Sequence, residues 1–427
     1  MKTSDPRAAL WTATATPAPD CPPLGGDRRT GVVVIGGGFT GLSAALHLAE
    51  AGVETILLEA QAPGFGASGR NNGQVVPAYS RHNPDEITAQ FGAERGEAMN
   101  AWVQDSATLV FDLIRRHGID CDAQQNGWLM PAHNEARLAM VRQKHDQWAA
   151  RGAPVNFLDA AATAEMTGSR HYTGAWLHRA GGNIQPLSYA RGLARAAQAA
   201  GAALHASSPA LAVERAGQDW QVKTPSGTVT ADTVVLATNA YTGDLWPDLA
   251  RSIVPMRLFQ AATEPLGDNV ARTILPGRQS ISDARRVLWA FRKDAEGRIV
   301  TGASPLFTMR PSRPLARISC EQLIRVFPQI NEVRFQHLWD GRIAVTLDRL
   351  PRLFDLAEGV FAGLGYSGRG IAMATGMGKL LAERVQGRAA EACPVLPGPA
   401  KPLPLRNLLI PLARARAAWW RLRDAAG

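Results

Sequence analysis

Apolar and polar positions set up a regular alternation of element types in the first part of the chain. Val32-Val33-Val34-Ile35 is an uninterrupted β-branched run, the pattern of a strand buried on both faces. Gly36-Gly37-Gly38-Phe39-Thr40-Gly41 breaks it, and residues 42–51 then read as an Ala/Leu-rich helix with Gly52 placed as its C-terminal cap. A second apolar run, Thr55-Ile56-Leu57-Leu58, closes on Glu59. Residues 95–117 and 134–152 carry helical periodicity, and Ala-Asp-Thr-Val-Val-Leu-Ala-Thr-Asn at 231–239 reads as another buried strand. Residues 359–370 read as a strand and glycine turn that lead into a helix over 371–385.

The first unit is strand, glycine turn, helix, strand and acid, and each part has a task in holding a dinucleotide. Gly36 permits the tight turn, Gly38 lets the backbone approach a pyrophosphate, and Gly41 lets the helix lie against the strand. Exposed N–H groups at the helix start favour the anion. Glu59, 18 residues after Gly41, is placed to accept from both hydroxyls of an adenosine ribose, which disfavours a 2′-phosphate. The fingerprint leaves FAD and NAD open. The loop Gly64-Phe65-Gly66-Ala67-Ser68-Gly69-Arg70-Asn71-Asn72-Gly73-Gln74 has small residues and amides with little to build a core. Such a second platform suits a flavin, which is held along pyrophosphate, ribityl chain and ring. Gly363, Gly365 and Gly368 repeat the GxGxxG spacing, but Glu383 falls within a helical stretch, so this turn reads as a helix N-terminus aimed at the flavin ring.

At 427 residues the chain has room for two or three domains, and its 46% apolar and 19% charged residues exclude wholesale disorder. The net charge is +9, but only six of the 46 basic residues are Lys and the Arg residues are scattered, so no nucleic-acid stripe is expected. Cys21, Cys121, Cys320 and Cys393 lie far apart, and no His spacing suggests a metal. The reading is a soluble, cytoplasmic protein without a signal peptide, metal or stable membrane insertion.

The glycine motif with its helix, the loop 64–71, and Gly365-Tyr366-Ser367-Gly368 together resemble the FAD-dependent D-amino-acid oxidase superfamily, nearest to its γ-glutamylputrescine oxidases. The likeness runs from about Trp11 to Asp424 and includes Gly182-Asn183-Ile184-Gln185-Pro186-Leu187, Trp339-Asp340-Gly341 and Thr346-Leu347-Asp348-Arg349-Leu350-Pro351. It implies an α/β fold, α+β overall, in which a doubly wound Rossmann-type FAD domain (31–83, 169–255 and 349–387) is interleaved with a mixed-sheet substrate domain (84–168 and 256–348). An N-terminal arm (1–30) and a C-terminal tail and helix (388–427) flank them, and a β-meander is expected around 204–229. Expected FAD contacts are Gly36, Gly38, Phe39, Thr40, Gly41, Glu59, Ala60, Gly66, Ala67, Ser68, Arg70, Asn72, Gly73, Gln74, Leu211, Ala237, Gly365, Gly368, Gly370 and Ile371. The pocket candidates are Tyr366, Arg369, Gln74, Trp339 and Tyr241.

The resemblance implies hydride transfer from an amine-bearing carbon to flavin N5, with the imine hydrolysed to an aldehyde and ammonia and oxygen reduced to hydrogen peroxide. Arg70 and Trp339-Asp340-Gly341 occupy positions where some relatives attach the flavin through His or Cys, so FAD is expected to be non-covalent. Relatives usually carry His where Arg369 stands. Arg298-Ile299-Val300-Thr301-Gly302 lacks the Lys that helps oxygen react in sarcosine-oxidase-like members. The alternatives are a dehydrogenase for amino acids or secondary amines with a non-oxygen acceptor, and a flavin-binding module without turnover. Asp348 is read as a turn residue, His47 as packing, and the basic apolar stretch 412–423 as a docked terminal helix.

Overall fold

The computed structural model describes residues 9–303, 312–404, 415, 419 and 420, with the backbone alone at 303 and 312–314. Two large sheets organise the chain. The nine-stranded sheet is built around Arg28–Ile35, which pairs in parallel with Thr55–Leu58 on one side and Gly227–Leu236 on the other. Ile35 is opposite both Leu58 and Leu236, so these three strands end in one row. That register sets Gly36, Glu59 and Ala237 side by side at the carboxyl edge, where ligands bind in open α/β sheets. Val360–Leu364 extends the row beyond Gly227–Leu236.

The helices Phe39–Glu50, Pro186–Ala199 and Gly370–Val385 join Ala93–Arg116 in one buried cluster with Val32, Val34 and Leu57 from one sheet face. The opposite-facing Val33, Ile35, Ile56 and Leu58 pack with Trp220, Val222 and Val229. Those last residues come from the antiparallel meander Ala212–Ala216, Asp219–Thr224 and Gly227–Leu236. The period-two switch of burial along the first strand thus serves two separate cores.

The eight-stranded sheet runs, from one edge, Phe335–Val345, Val254–Thr263, Ile299–Ala303, Ala290–Lys293, Ser280–Ser282, Trp128–Ala132, Gly174–His178 and Val155–Leu158. It is mixed, since Ser280–Ser282 and Trp128–Ala132 pair in parallel and its other pairs are antiparallel. A two-stranded pair, Gln74–Val75 with Gly182–Asn183, ties the loop after residue 64 to the Gly182-Asn183-Ile184 segment.

Three boundaries differ from the sequence expectation. Gly174–His178 lies in the eight-stranded sheet although 169–255 was assigned to the cofactor layer, because all five residues are buried between Trp128–Ala132 and Val155–Leu158. The first strand begins at Arg28 and not at residue 31, since Arg28 and Arg29 still pair with Val229 and Thr230. Pro397–Gly398, expected in the tail, forms the edge strand beside Arg352–Ala357. Most of the expected terminal helix lies outside the described residues; Ala415, Trp419 and Trp420 are helical. No helix among the described residues is long and apolar enough to cross a membrane.

Helices Phe39–Glu50 and Gly370–Val385 touch backbone to backbone at Gly378, where a Cβ would overlap Thr40 O and lie 2.5 Å from Ser43 Cβ. Gly378→Ala is therefore expected to destabilise the protein by about 1–3 kcal/mol, the cost of overpacking a filled interface, read as a lower urea midpoint. An unchanged midpoint would mean that the helices separate freely.

Candidate active site

The nucleotide end is built from backbone. At Gly36 φ is +110°, and a Cβ there would come within 2.9 Å of Ala237 O, while one at Gly41 would overlap Gly36 O. Only glycine allows the motif helix to start this close to the sheet. Gly36 N–H donates to Leu58 O and Ala237 N–H to Ile35 O, which fixes the row of strand ends. The Glu59 carboxylate accepts from Gly37 N–H at 2.6 Å and from Gln61 N–H at 2.9 Å. Burial nevertheless raises its pKa above the ordinary carboxyl value, with the N–H groups of Gln61, Gly37 and Ala60 opposing. Ser207 and Ser208 donate to Gln61 O and Glu59 O, and nearby Leu211 is 61% exposed, as Ala60 also is in class.

The second platform is fastened to the first by Ser68, whose Oγ accepts from Phe39 N–H at 3.0 Å and would lie 2.9 Å from a Cβ on Gly38. Ala67 begins a short turn, Ala67–Gly69, and a Cβ on Gly66 would meet the Tyr241 ring at 3.2 Å. The Tyr241 hydroxyl accepts from Arg342 N–H at 3.2 Å. Arg70 is the unusual member. It is only 5% exposed, rests over Phe65 at 4.5 Å, and has no partner for Nη1 or Nη2 among the described residues. Asn72 donates to Gln260 Oε1 at 2.9 Å, and a Cβ on Gly73 would overlap Arg292. Gln74 is fully engaged: Nε2 donates to Asn72 Oδ1 and Ile281 O, while Oε1 accepts from Ser282. Its side chain therefore joins the loop to the eight-stranded sheet, a task that the pocket expectation did not foresee.

The third element is the 365–371 turn. Gly365 N–H donates to Asn239 Oδ1 at 3.2 Å, and Gly365 and Gly368 have φ values of +84° and +92°. Tyr366 is buried and shares a 2.6 Å hydrogen bond with Thr40 Oγ1, so this turn and the first glycine motif are directly linked. Burial raises its hydroxyl pKa. Arg369 is the N-cap of Gly370–Val385, with Gly370 and buried Ile371 opening the helix. Trp339 is 2% exposed and donates from Nε1 to Arg70 O at 2.9 Å, so it positions the loop besides offering a ring face. Asp348 acts as the expected turn residue, with Oδ1 accepting from Leu350 N–H. His47 Nδ1 lies 2.7 Å from Ser43 O within the motif helix.

An anionic dinucleotide fits this arrangement: glycines clear its path, helix N–H groups face it, and Arg70 provides a buried cation without a counter-charge. The family described as DAO, FAD dependent oxidoreductase, matches residues 31–384. The chain belongs to that family. It is an FAD-dependent oxidoreductase. It is 35% identical to the gamma-glutamylputrescine oxidoreductase of Escherichia coli (strain K12), over 93% of each chain. It is 33% identical to a probable oxidoreductase, OrdL, of Rhizobium meliloti (strain 1021), over 98% of each. The glycine oxidase of Geobacillus kaustophilus has the same fold, with a TM-score of 0.72 at 21% identity, over 86% of this chain and 98% of that one.

Four residues escaped the sequence reading of this flavoenzyme. Trp11, in the helix Leu10–Thr14, packs edge-on against Trp339 at 6.0 Å and donates to Asn71 O at 2.7 Å. Fully buried Arg292 donates to Ile184 O and lies over Trp11 at 5.1 Å. Trp128, on the eight-stranded sheet, and Lys144, on the helix Glu135–Ala149, are both buried. A signal existed for Lys144 alone, which shares the spacing of Val141 and Trp148 on an apolar helix face.

Glu59→Ala is expected to weaken FAD binding to the apoprotein by about tenfold to hundredfold, the worth of one or two charged hydrogen bonds. Fluorescence titration reads this, and an unchanged affinity would place the ribose elsewhere.

Proposed function

We propose that this flavoenzyme is an oxidase that deaminates γ-glutamylputrescine or a closely similar amine to an aldehyde and ammonia, with oxygen as the acceptor. The substrate class comes from the Escherichia coli relative, which matches nearly the full chain. The observation in the site that carries the reading is how its carboxylates are used. Asp340 is held by both arms of Arg257, and Asp122, Asp283 and Asp348 pair with Arg278, Arg285 and Arg352. Buried His178 is held near a pKa of about 3 by desolvation. With these four carboxylates held by Arg and Glu59 by backbone N–H groups, none of the five stands as a free base, which suits oxidation of a neutral amine that needs orientation and charge stabilisation before it needs a strong base.

FAD, when bound, supplies the acceptor for the hydride equivalent leaving the amine-bearing carbon. In this reading Gly36–Gly41 and Glu59 hold the adenosine and pyrophosphate end, and Ser68 orders the join. The Arg70 guanidinium and the start of helix Gly370–Val385 would stabilise negative charge on the bound flavin. The Thr40–Tyr366 hydrogen bond keeps the two turns in register and leaves the phenol neutral at physiological pH. Trp339, Tyr241 and the Asn72–Gln260 pair shape the wall and exclude water.

A dehydrogenase using another acceptor is the second reading, favoured by one observation: strand Ile299–Ala303 carries no Lys. Two measurements decide. Stoichiometric γ-glutamylputrescine added without oxygen should bleach the flavin band, and in air each aldehyde formed should accompany one hydrogen peroxide. Bleaching without peroxide would assign the dehydrogenase, and no bleaching would exclude this substrate.

A further inference from the structure

Arg369 is a second buried cation that neither the fold nor the cofactor cradle accounts for. Its residue is 7% exposed, its Nε is buried without a partner, and its side chain forms no hydrogen bond or ion pair with any described residue. Its contact is the Trp128 ring, whose centroid lies 5.3 Å from the guanidinium carbon. Trp128 is the first residue of a strand in the eight-stranded sheet. Arg369 thus caps a helix of the cofactor layer while its charge leans on the other sheet.

The surroundings add positive charge. Lys144 is 7% exposed, and its ammonium donates to Arg81 O, His82 O and, at 2.5 Å, Asn83 Oδ1. These are neutral acceptors. Arg81 bonds Arg286 O and lies over the Trp420 ring at 4.7 Å. Burial foremost, and then Arg81, lowers the Arg369 pKa to about 10. Burial lowers Lys144 to about 8, with Glu86 opposing and Arg369 and Arg81 assisting. Glu86, the facing acid, also contacts His82 at 3.5 Å and accepts from Asn83 N–H. Glu86 is engaged by His82 and Asn83 and not by Arg369, and a buried guanidinium with no ion pair among the described residues is costly. A planar guanidinium backed by an aromatic ring presents its fork to a carboxylate.

We propose that Arg369 is a specificity-determining residue that binds a carboxylate carried by the amine substrate, remote from the carbon that is oxidised. Trp128 is the floor that holds the fork flat, and Arg81 and Lys144 raise the local positive potential. The substrate class narrows to amines that end in a carboxylate, as a γ-glutamylated diamine does. The amine part rests on the function proposed above, whereas the carboxylate contact stands on Arg369 and its neighbours.

The test uses the FAD-loaded enzyme and two readouts. Glutarate, a carboxylate without an amine, is titrated while the visible spectrum of the bound flavin is recorded. The wild type should give a saturable perturbation, and Arg369→Met should weaken it about tenfold or more, with Arg369→Lys intermediate. Next, γ-glutamylputrescine is compared with its α-carboxamide. The wild type should favour the acid by about tenfold to hundredfold, mainly in KM, and Arg369→Met should reduce this below about threefold. No glutarate response in the wild type, or equal use of acid and amide by the wild type, overturns the proposal even if Arg369→Met fails to fold. Undiminished discrimination in Arg369→Met, with a shifted flavin reduction potential, would assign Arg369 to the flavin instead. If neither amine bleaches the flavin while glutarate still perturbs it through Arg369, the amine reading fails and the carboxylate site remains.

Discussion

The structure depends on how closely a helix can approach the end of a parallel strand. At Gly36 and Gly41 the backbones of the first strand, the motif helix and residue 237 converge until no side-chain atom fits between them. This approach follows from the register that ends three strands at Ile35, Leu58 and Leu236. It sets the Gly37 N–H, just ahead of the motif helix, beside Glu59, and through Ser68 it fixes the second loop. The Thr40–Tyr366 bond then places the third turn against the first. Two neighbouring segments and a third some three hundred residues further on thereby become one surface.

That surface carries two buried cations, Arg70 and Arg369, that have no counter-charge among the described residues, but they sit in different company. Arg70 belongs to the loop, with Trp339 fastened to its carbonyl and Trp11 to the next one. Arg369 leans toward Trp128 and shares its field with Lys144 and Arg81. Burying a guanidinium alone costs several kcal/mol, so both positions raise the energy of the empty protein and favour bound anions. Asp340, Asp122, Asp283 and Asp348 each carry an Arg partner of their own. Separate cations for cofactor and substrate would let one enzyme select both by charge.

Local features of the site were legible because they are steric or periodic. Gly36, Gly38, Gly41 and Glu59 form a spacing that only close backbone approach explains, and the uninterrupted β-branched run Val32-Val33-Val34-Ile35 identifies a strand with two covered faces, all four residues being buried. The second glycine turn was equally readable, and Glu383 does fall inside its helix. Long-range pairing was not. Gly174–His178 has the composition of a strand in either sheet, and only its partners decide. Gln74 read as a pocket candidate within a loop of small residues and amides, and its hydrogen bonds to Ser282 and Ile281, more than 200 residues away, carried no sequence signal. Trp11 carries no local signal of docking, since its partners Trp339 and Arg292 come from distant strands.

If Arg70, whose guanidinium has no partner among the described residues, serves an anionic flavin nucleotide bound without a covalent link, its removal must weaken FAD binding. The most direct measurement is the FAD affinity of apoprotein prepared by acid precipitation, for the wild type and for Arg70→Met. All flavin should be released into the acid supernatant, and Arg70→Met should raise the Kd by about tenfold or more, as expected for removal of a buried charge contact. Flavin retained on the precipitated polypeptide, or an unchanged Kd in the variant, would contradict that role.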